Sequence, residues 1–183
     1  LYHKNSPIQT DILSTITDIT GAEKFLHENG YHKPVKLVGI HPGAGKPPNI
    51  WPAENFAYVL SKLALHHDIF VYVTGSSSES ATYERICSHV NFPVYKYFDN
   101  SIGELAALIS LSDLFITNDT GVMHVAGTTS VRQISLFGPT PPEVWAPKGE
   151  NKHALRKGDE IKLIETAEVY ELADALLSEA DES

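Results

Sequence analysis

Short apolar runs of strand length alternate with amphipathic segments of helical length along most of the 183-residue chain. Such alternation predicts β-α-β units, in which parallel strands form a sheet that helices cover on both faces. The strand-like runs are nearly continuous in apolar residues, as expected where both faces of a sheet are buried. We therefore predict an α/β fold, a doubly wound and mostly parallel Rossmann-like sheet. Strands are expected at residues 35–40, 69–73, 94–98, 113–117 and 131–137.

The helices around these strands are predicted from apolar spacing and from capping signals. Thr20 and Glu23 have the spacing of a capping box, and so do Ser101 and Glu104. Pro52 suits the first position of a helix, where its missing N–H has no intrahelical partner to lose. Helices are expected at about residues 21–30, 79–90, 120–127 and 164–180, with two more that begin at Pro52 and Ser101.

The net charge of the chain is −9, from 14 basic and 23 acidic residues. So acidic a domain is a poor partner for nucleic acid, whose phosphates select basic surfaces. The one cysteine, Cys87, rules out an internal disulfide and favours a reducing, cytoplasmic location. No apolar run approaches 18 residues, so no transmembrane segment is expected. Because the sequence begins at Leu1 rather than at Met, we expect it to be a processed product or part of a longer protein.

The loop after the first predicted strand is rich in glycine and proline. Ligands of doubly wound sheets bind at the carboxyl ends of the strands, so the residues that follow each strand carry most information. Here Gly43 and Gly45 flank Ala44 and lack a Cβ, so their amides can approach an anion, and Lys46 adds a positive charge. The spacing fits neither a P-loop nor the GxGxxG pattern of dinucleotide-binding proteins. The alternative is a tight turn without a ligand.

Candidate ligand groups also follow the second and fifth strands. After the second strand, Glu79 is placed to accept hydrogen bonds from ribose hydroxyls. The alternative is a carboxylate that only stabilises the N-terminus of a helix. After the fifth strand, Thr140 supplies a hydroxyl in a rigid loop, which is otherwise a proline-stiffened connection.

The segment after the fourth strand is the sharpest signal in the sequence. Asp119 or Thr120 caps a helix, Gly121 opens it, and His124 lies about one turn further on. A carboxylate, a hydroxyl and an imidazole thereby converge at a helix N-terminus, a position that suits phosphate. The alternative is an ordinary helix cap with a partly buried histidine.

Taken together, these loops resemble glycosyltransferase family 9, the ADP-heptose:lipopolysaccharide heptosyltransferases and their relatives. The resemblance extends from about residue 35 to residue 150, and its motifs agree in order and spacing. The matching segments are residues 41–45, 51–56, 118–126 and 136–142.

This resemblance implies the C-terminal half of a two-domain GT-B glycosyltransferase that inverts the anomeric carbon and acts in lipopolysaccharide or related glycan synthesis. Residues 1–33 are then an interdomain connection with a leading helix, and residues 34–183 a Rossmann-like domain that binds a nucleotide-sugar donor, with an ADP-sugar favoured. The family implies no metal and no cofactor. It places the catalytic base in an N-terminal acceptor-binding domain, so this chain alone is expected to be inactive. The full enzyme is expected to associate with a membrane only peripherally.

The resemblance also gives roles to individual residues. It places Asp119, Thr120 and Gly121 at the donor diphosphate and sugar, His124 near the sugar or phosphate, and Glu79 at the ribose. Relatives often carry a basic residue directly before the Trp-Pro pair, where Asn49 and Ile50 stand here. Either Lys46 supplies that charge instead, or the phosphates are bound more weakly. The expected donor-binding residues are Gly43, Ala44, Gly45, Lys46, Glu79, Asp119, Thr120, Gly121, His124 and Thr140.

Three other interpretations stay open at the level of sequence. A non-catalytic nucleotide-binding module on a Rossmann-like sheet would carry similar loops. A nucleotide-sugar epimerase with a GT-B fold is a related alternative, which the Trp-Pro and Asp-Thr-Gly-x-x-His motifs fit less well. An NAD-dependent oxidoreductase is disfavoured because the GxGxxG pattern is absent.

Overall fold

The computed structural model describes residues 14–179, which form a six-stranded sheet between two layers of helices. All neighbouring strands are parallel, in the spatial order β3-β2-β1-β4-β5-β6. The predicted doubly wound parallel fold is therefore confirmed. The strands are β1 Lys36–His41, β2 Ile69–Gly75, β3 Val94–Phe98, β4 Leu114–Asn118, β5 Arg132–Phe137 and β6 Lys152–Arg156.

Seven α-helices connect or flank these strands in the part of the chain that the structure describes. They are α1 Ile16–Glu28, α2 Ala53–Leu63, α3 Ser80–Cys87, α4 Ile102–Ser110, α5 Gly121–Gly127, α6 Pro142–Trp145 and α7 Thr166–Glu179. Short 3-10 turns lie at Pro47–Asn49, Ser77–Glu79 and Ile161–Leu163. None of the helices between residues 14 and 179 has the length and apolarity to cross a membrane.

Each face of the sheet buries its own apolar cluster. Helices α2, α3 and α7 cover one face, where Trp51 is fully buried and donates its indole N–H to the carbonyl of Ile164 at 3.1 Å. Helices α1, α4 and α5 cover the other face, around Tyr72 and Phe115. Because α1 packs on α4 in this second layer, it is part of the described fold. The boundary between residues 33 and 34 stays a prediction.

Two element predictions were wrong for identifiable reasons. Helix α1 begins five residues before the predicted start, since Thr15 and Asp18 form its capping box, and Thr20 bonds back to the Ile16 carbonyl from inside the helix. Strand β6 was not predicted, because its sequence Lys-His-Ala-Leu-Arg has no apolar run. As the outer strand next to β5, it is paired on one side, and outer strands tolerate such charged residues.

The strand order reverses between β1 and β4, which are neighbours in the middle of the sheet. The chain leaves β1 toward one side and returns on the other side through β4, so the loops that follow these strands diverge and leave a crevice. The register places His41 of β1 opposite Thr117 of β4, next to this crevice. The loops with the candidate ligand groups therefore begin at the position where doubly wound sheets bind ligands.

Candidate functional site

An open cleft of about 550 Å³ lies at the carboxyl ends of β1, β2 and β4. Its apolar wall comes from α4 and α5, with Leu105 and Val122 among its residues. A smaller pocket of about 240 Å³ shares His41, Glu79, Leu105 and Val122 with the cleft and continues it toward Tyr97 and Asn100. Five of the predicted site residues line the cleft, namely Ala44, Gly45, Glu79, Thr120 and Gly121.

Asn118, the last residue of β4, joins the loops that form the floor of the cleft. Its side chain is fully buried, and its Nδ2 donates to the carbonyl of Pro42 at 2.8 Å and more weakly to that of Gly43 at 3.4 Å. Its Oδ1 accepts from the backbone N–H of Trp51 at 3.3 Å. These bonds satisfy buried backbone groups in the long loop between β1 and α2. The loop after β1 is thus fixed to the end of β4.

His41, the last residue of β1, presents one edge of a buried imidazole to the cleft. Its Nδ1 lies 3.2 Å from the carbonyl oxygen of Thr74 and 3.0 Å from the hydroxyl of the same residue. The Thr74 hydroxyl donates to the carbonyl of Ile40, so both Thr74 atoms act as acceptors and the proton is placed on Nδ1. Burial lowers the pKa of His41, although Glu79 and the Thr74 carbonyl act in the opposite direction.

Gly43 and Glu79 fit against each other. A Cβ on Gly43 would overlap Oε1 of Glu79 and would lie 3.3 Å from Nε2 of His41. The other carboxylate oxygen of Glu79 accepts from the backbone N–H of Ser76 at 2.8 Å and from its hydroxyl at 2.9 Å. Glu79 therefore performs the capping role that was the alternative for this residue. Its Oε1 faces the glycine loop and takes no part in the capping bonds, so this oxygen can accept a hydrogen bond from a ligand.

Thr120 caps α5 at the side of the cleft, where the sequence predicted either Asp119 or Thr120 as the cap. Its hydroxyl accepts from the N–H of Val122 at 3.0 Å. The first N–H groups of a helix have no partner within the helix, so the backbone at Gly121 presents donors to the cleft. The lining within residues 14–179 contains one charged side chain, that of Glu79, and no lysine or arginine. A negative ligand here would depend on backbone amides.

Side chains of β5 and β6 hold α5 at its middle and at its C-terminal end. Lys152 of β6 donates to the carbonyls of Ala126, Thr129 and Val131 at 3.0, 2.8 and 2.8 Å. Burial lowers the pKa of Lys152 to about 8. From β5, Gln133 donates to the carbonyl of Met123 at 2.9 Å. The helix that carries Thr120 is therefore fixed from beneath and from its far end.

The other five predicted site residues lie outside the lining of the cleft. Asp119 is next to it, and Nδ2 of Asn49 donates to its carboxylate at 3.0 Å. Lys46 and His124 are exposed, and Thr140 is partly exposed. Their roles in donor binding stay predictions. Gly43 lies beneath the lining, where its small size leaves room for Glu79.

Three polar residues that shape the site were not among the predicted site residues: His41, Asn49 and Asn118. A signal for two of them was present in the sequence, because His41 and Asn118 each directly follow an apolar strand run. A polar side chain at the carboxyl end of a buried strand faces the ligand edge of the sheet. Asn49 had no such signal, since its contact with Asp119 joins two distant loops.

The sequence model of glycosyltransferase family 9 (heptosyltransferase) matches residues 13–172. The chain belongs to this family. The resemblance carried by the loop motifs is thereby confirmed, and the structure has the expected α/β architecture.

Individual relatives agree with this assignment. The lipooligosaccharide heptosyltransferase 2 of Campylobacter jejuni is 33% identical over 109 residues, which are 57% of this chain and 34% of that protein. A family 9 glycosyl transferase from Veillonella parvula superimposes with a TM-score of 0.85 at 23% identity, over 97% of this chain and 56% of that one. The E. coli ADP-heptose lps heptosyltransferase II gives a TM-score of 0.78 at 19% identity, over 93% and 54%. The chain thus spans about a third of the curated relative and about half of each solved structure.

Proposed function

We propose that this domain binds the nucleoside diphosphate part of a nucleotide-sugar donor, with an ADP-sugar favoured, for an inverting glycosyltransferase of lipopolysaccharide or related glycan synthesis. The observation that carries the proposal is the cleft at the reversal of strand order, where the glycine loop, Glu79 and the N-terminus of α5 meet. The name of the E. coli structural neighbour, an ADP-heptose lipopolysaccharide heptosyltransferase, supports the choice of donor.

The two sides of the cleft suit different parts of such a donor. Backbone amides at Ala44, Gly45 and Gly121 favour the diphosphate, because a helix N-terminus and a glycine loop provide donors without side-chain charge. The carboxylate of Glu79 repels phosphate and favours sugar hydroxyls. We therefore place the ribose at Glu79 and the diphosphate between the glycine loop and α5.

In the transfer reaction, the same amides stabilise the charge that develops on the leaving nucleoside diphosphate. The acceptor hydroxyl also needs a general base, which we place in an acceptor-binding domain outside residues 1–183. We therefore expect the chain alone to bind donor nucleotide and to transfer no sugar. Sugar transfer catalysed by residues 1–183 alone would refute this part of the proposal.

The test is isothermal titration calorimetry of the 183-residue chain with ADP, UDP, GDP and dTDP. We expect binding of ADP to be tightest. The variant Asp119→Ala is expected to abolish nucleotide binding or to weaken it at least tenfold, because it removes the carboxylate beside Thr120 and the partner of Asn49.

The matched control is Asp68→Ala, an exposed aspartate just before β2 at the opposite edge of the sheet. This variant should leave the dissociation constant unchanged. An unchanged constant for Asp119→Ala would instead remove Asp119 from the site, and a lack of binding by all four nucleotides would overturn the proposed function.

A further inference from the structure

The buried imidazole of His41, at the end of β1, has one ring nitrogen that is hydrogen-bonded within the protein and one that faces the cleft. Nδ1 of His41 donates to Thr74, so in the neutral ring Nε2 carries a lone pair and acts only as an acceptor. Nε2 has no hydrogen-bond partner among residues 14–179, and His41 lines both the cleft and the smaller pocket that continues it. The side chain is only 7% exposed, so its orientation is fixed by packing.

The second acceptor of this corner is Oε1 of Glu79. Both atoms flank Gly43, where a Cβ would overlap Oε1 and lie 3.3 Å from Nε2. An imidazole lone pair beside a carboxylate oxygen offers two acceptors and no donor. A phosphate, which also presents acceptors, is therefore disfavoured at this corner, whereas two neighbouring hydroxyl groups supply the donors that both atoms need.

Resting on the proposed function, we propose that His41 is a specificity-determining residue that accepts a hydrogen bond at Nε2 from one ribose hydroxyl of the donor nucleotide while Glu79 accepts from the other. The two acceptors then select the intact cis-diol of ribose over deoxyribose. Burial lowers the pKa of His41, which keeps the ring neutral and its Nε2 lone pair present at neutral pH. Gly43 is required because any side chain there would displace Glu79 from His41.

The test compares binding of ADP, 2′-deoxy-ADP and 3′-deoxy-ADP by calorimetry. The variant His41→Asn is the sharpest probe, since its amide nitrogen occupies the place of Nδ1 and keeps the bond to Thr74 while the Nε2 acceptor is lost. We expect His41→Asn to weaken ADP binding about fivefold to tenfold, the size of one hydrogen bond. One of the two deoxy nucleotides should bind the variant and the unmodified chain equally well.

The matched control is His66→Asn, the same substitution at an exposed histidine beyond the end of α2. It should leave all three affinities unchanged. If His41→Asn weakens ADP and both deoxy nucleotides by the same factor, or weakens none of them, the proposed role of His41 is overturned while the nucleotide site stands. If the unmodified chain binds no nucleotide, the proposed function fails as well.

A measurement on the unmodified chain covers the case in which His41→Asn does not fold. The ¹⁵N resonance of a bare imidazole nitrogen shifts when the nitrogen accepts a hydrogen bond. We expect the Nε2 signal of His41 to shift on addition of ADP and not on addition of the deoxy nucleotide that lacks its partner hydroxyl. Equal shifts with all three nucleotides would overturn the proposal.

Discussion

The two ends of α5 are held in different ways. At the C-terminal end, Lys152 donates to three carbonyls, and Pro147 packs so closely on Gly127 that a Cβ there would approach within 2.7 Å. At the N-terminal end, the Thr120 hydroxyl accepts from the N–H of Val122, Gln133 donates to the carbonyl of Met123, and the backbone at Gly121 faces the cleft. The contacts at the C-terminal end thus hold the helix in place, and the N-terminal end keeps backbone N–H donors for a ligand.

This contrast predicts that substitutions near the cleft reduce nucleotide binding as well as stability, whereas those at the C-terminal end of α5 reduce stability alone.

The largest effect is expected for Asn118→Ala. The change leaves the Pro42 carbonyl and the Trp51 N–H without their partner in a fully buried place, so we expect a loss of about 3 kcal/mol in the free energy of unfolding. Urea denaturation measures this loss, and calorimetry should show at least a tenfold weaker binding of ADP.

The control for that variant is Asn151→Ala. Asn151 is exposed and makes one long bond of 3.3 Å to the carbonyl of Ser130, so its removal should change stability by less than about 0.5 kcal/mol. Equal losses for the two asparagine variants would contradict the proposed fixing of the loop by Asn118.

A smaller effect is expected for Lys152→Met. The variant keeps the aliphatic packing of the side chain but removes one donor from each of three carbonyls, of which that of Ala126 still accepts from Thr129. The free energy of unfolding should therefore fall by about 2 kcal/mol. The affinity for ADP should change by less than about threefold, because the cleft end of α5 keeps its own contacts. Lys162→Met is the control, since Lys162 is exposed and forms an ion pair with the exposed Glu160, a contact that contributes little to stability. A large loss of ADP affinity in Lys152→Met would show that the two ends are not separable.

The smallest effect is a pH dependence that originates at the cleft. Because burial lowers the pKa of His41, the unfolded chain takes up a proton near the ordinary histidine pKa while the folded chain does not. The folded state is therefore favoured above about pH 6.5 and loses stability as the pH falls from there toward the lower folded pKa. Urea denaturation at pH 7.0 and 5.5 should show a decrease for the unmodified chain and a smaller decrease for His41→Asn. If the free energy of unfolding decreases equally in the two proteins, the group that takes up the proton is not His41.

The sequence predicted those parts of the fold whose signals are local. Strand β3 was predicted with its observed bounds, and α4 with its capping box, because an apolar run and a Ser-x-x-Glu spacing act over a few residues. Strand β6 was missed because its pairing with β5 determines its structure and its own composition does not. The early start of α1 was missed because two capping-box patterns overlap, at Thr15 and at Thr20, and only the first is formed.

In the candidate site, too, the features with local sequence signals were predicted and those that depend on distant contacts were not. The loops after β1, β2 and β4 were expected to converge from fold topology, and Ala44, Glu79 and Thr120 do line one cleft. The predictions could not separate lining residues from their neighbours, so exposed side chains such as Lys46 and His124 were included. Side-chain direction in a loop depends on contacts with distant segments, as between Asn49 and Asp119, and a local pattern contains no information about them.

The fixing of the β1 loop by Asn118 also has a thermodynamic consequence for recognition. A flexible glycine-rich loop would lose conformational entropy whenever a ligand orders it, and that loss would weaken the complex. Here the ordering has already taken place during folding, so the free energy of folding carries the cost. Association is then expected to proceed with little backbone rearrangement at the floor of the cleft, so that ordering of this loop offsets little of the binding free energy.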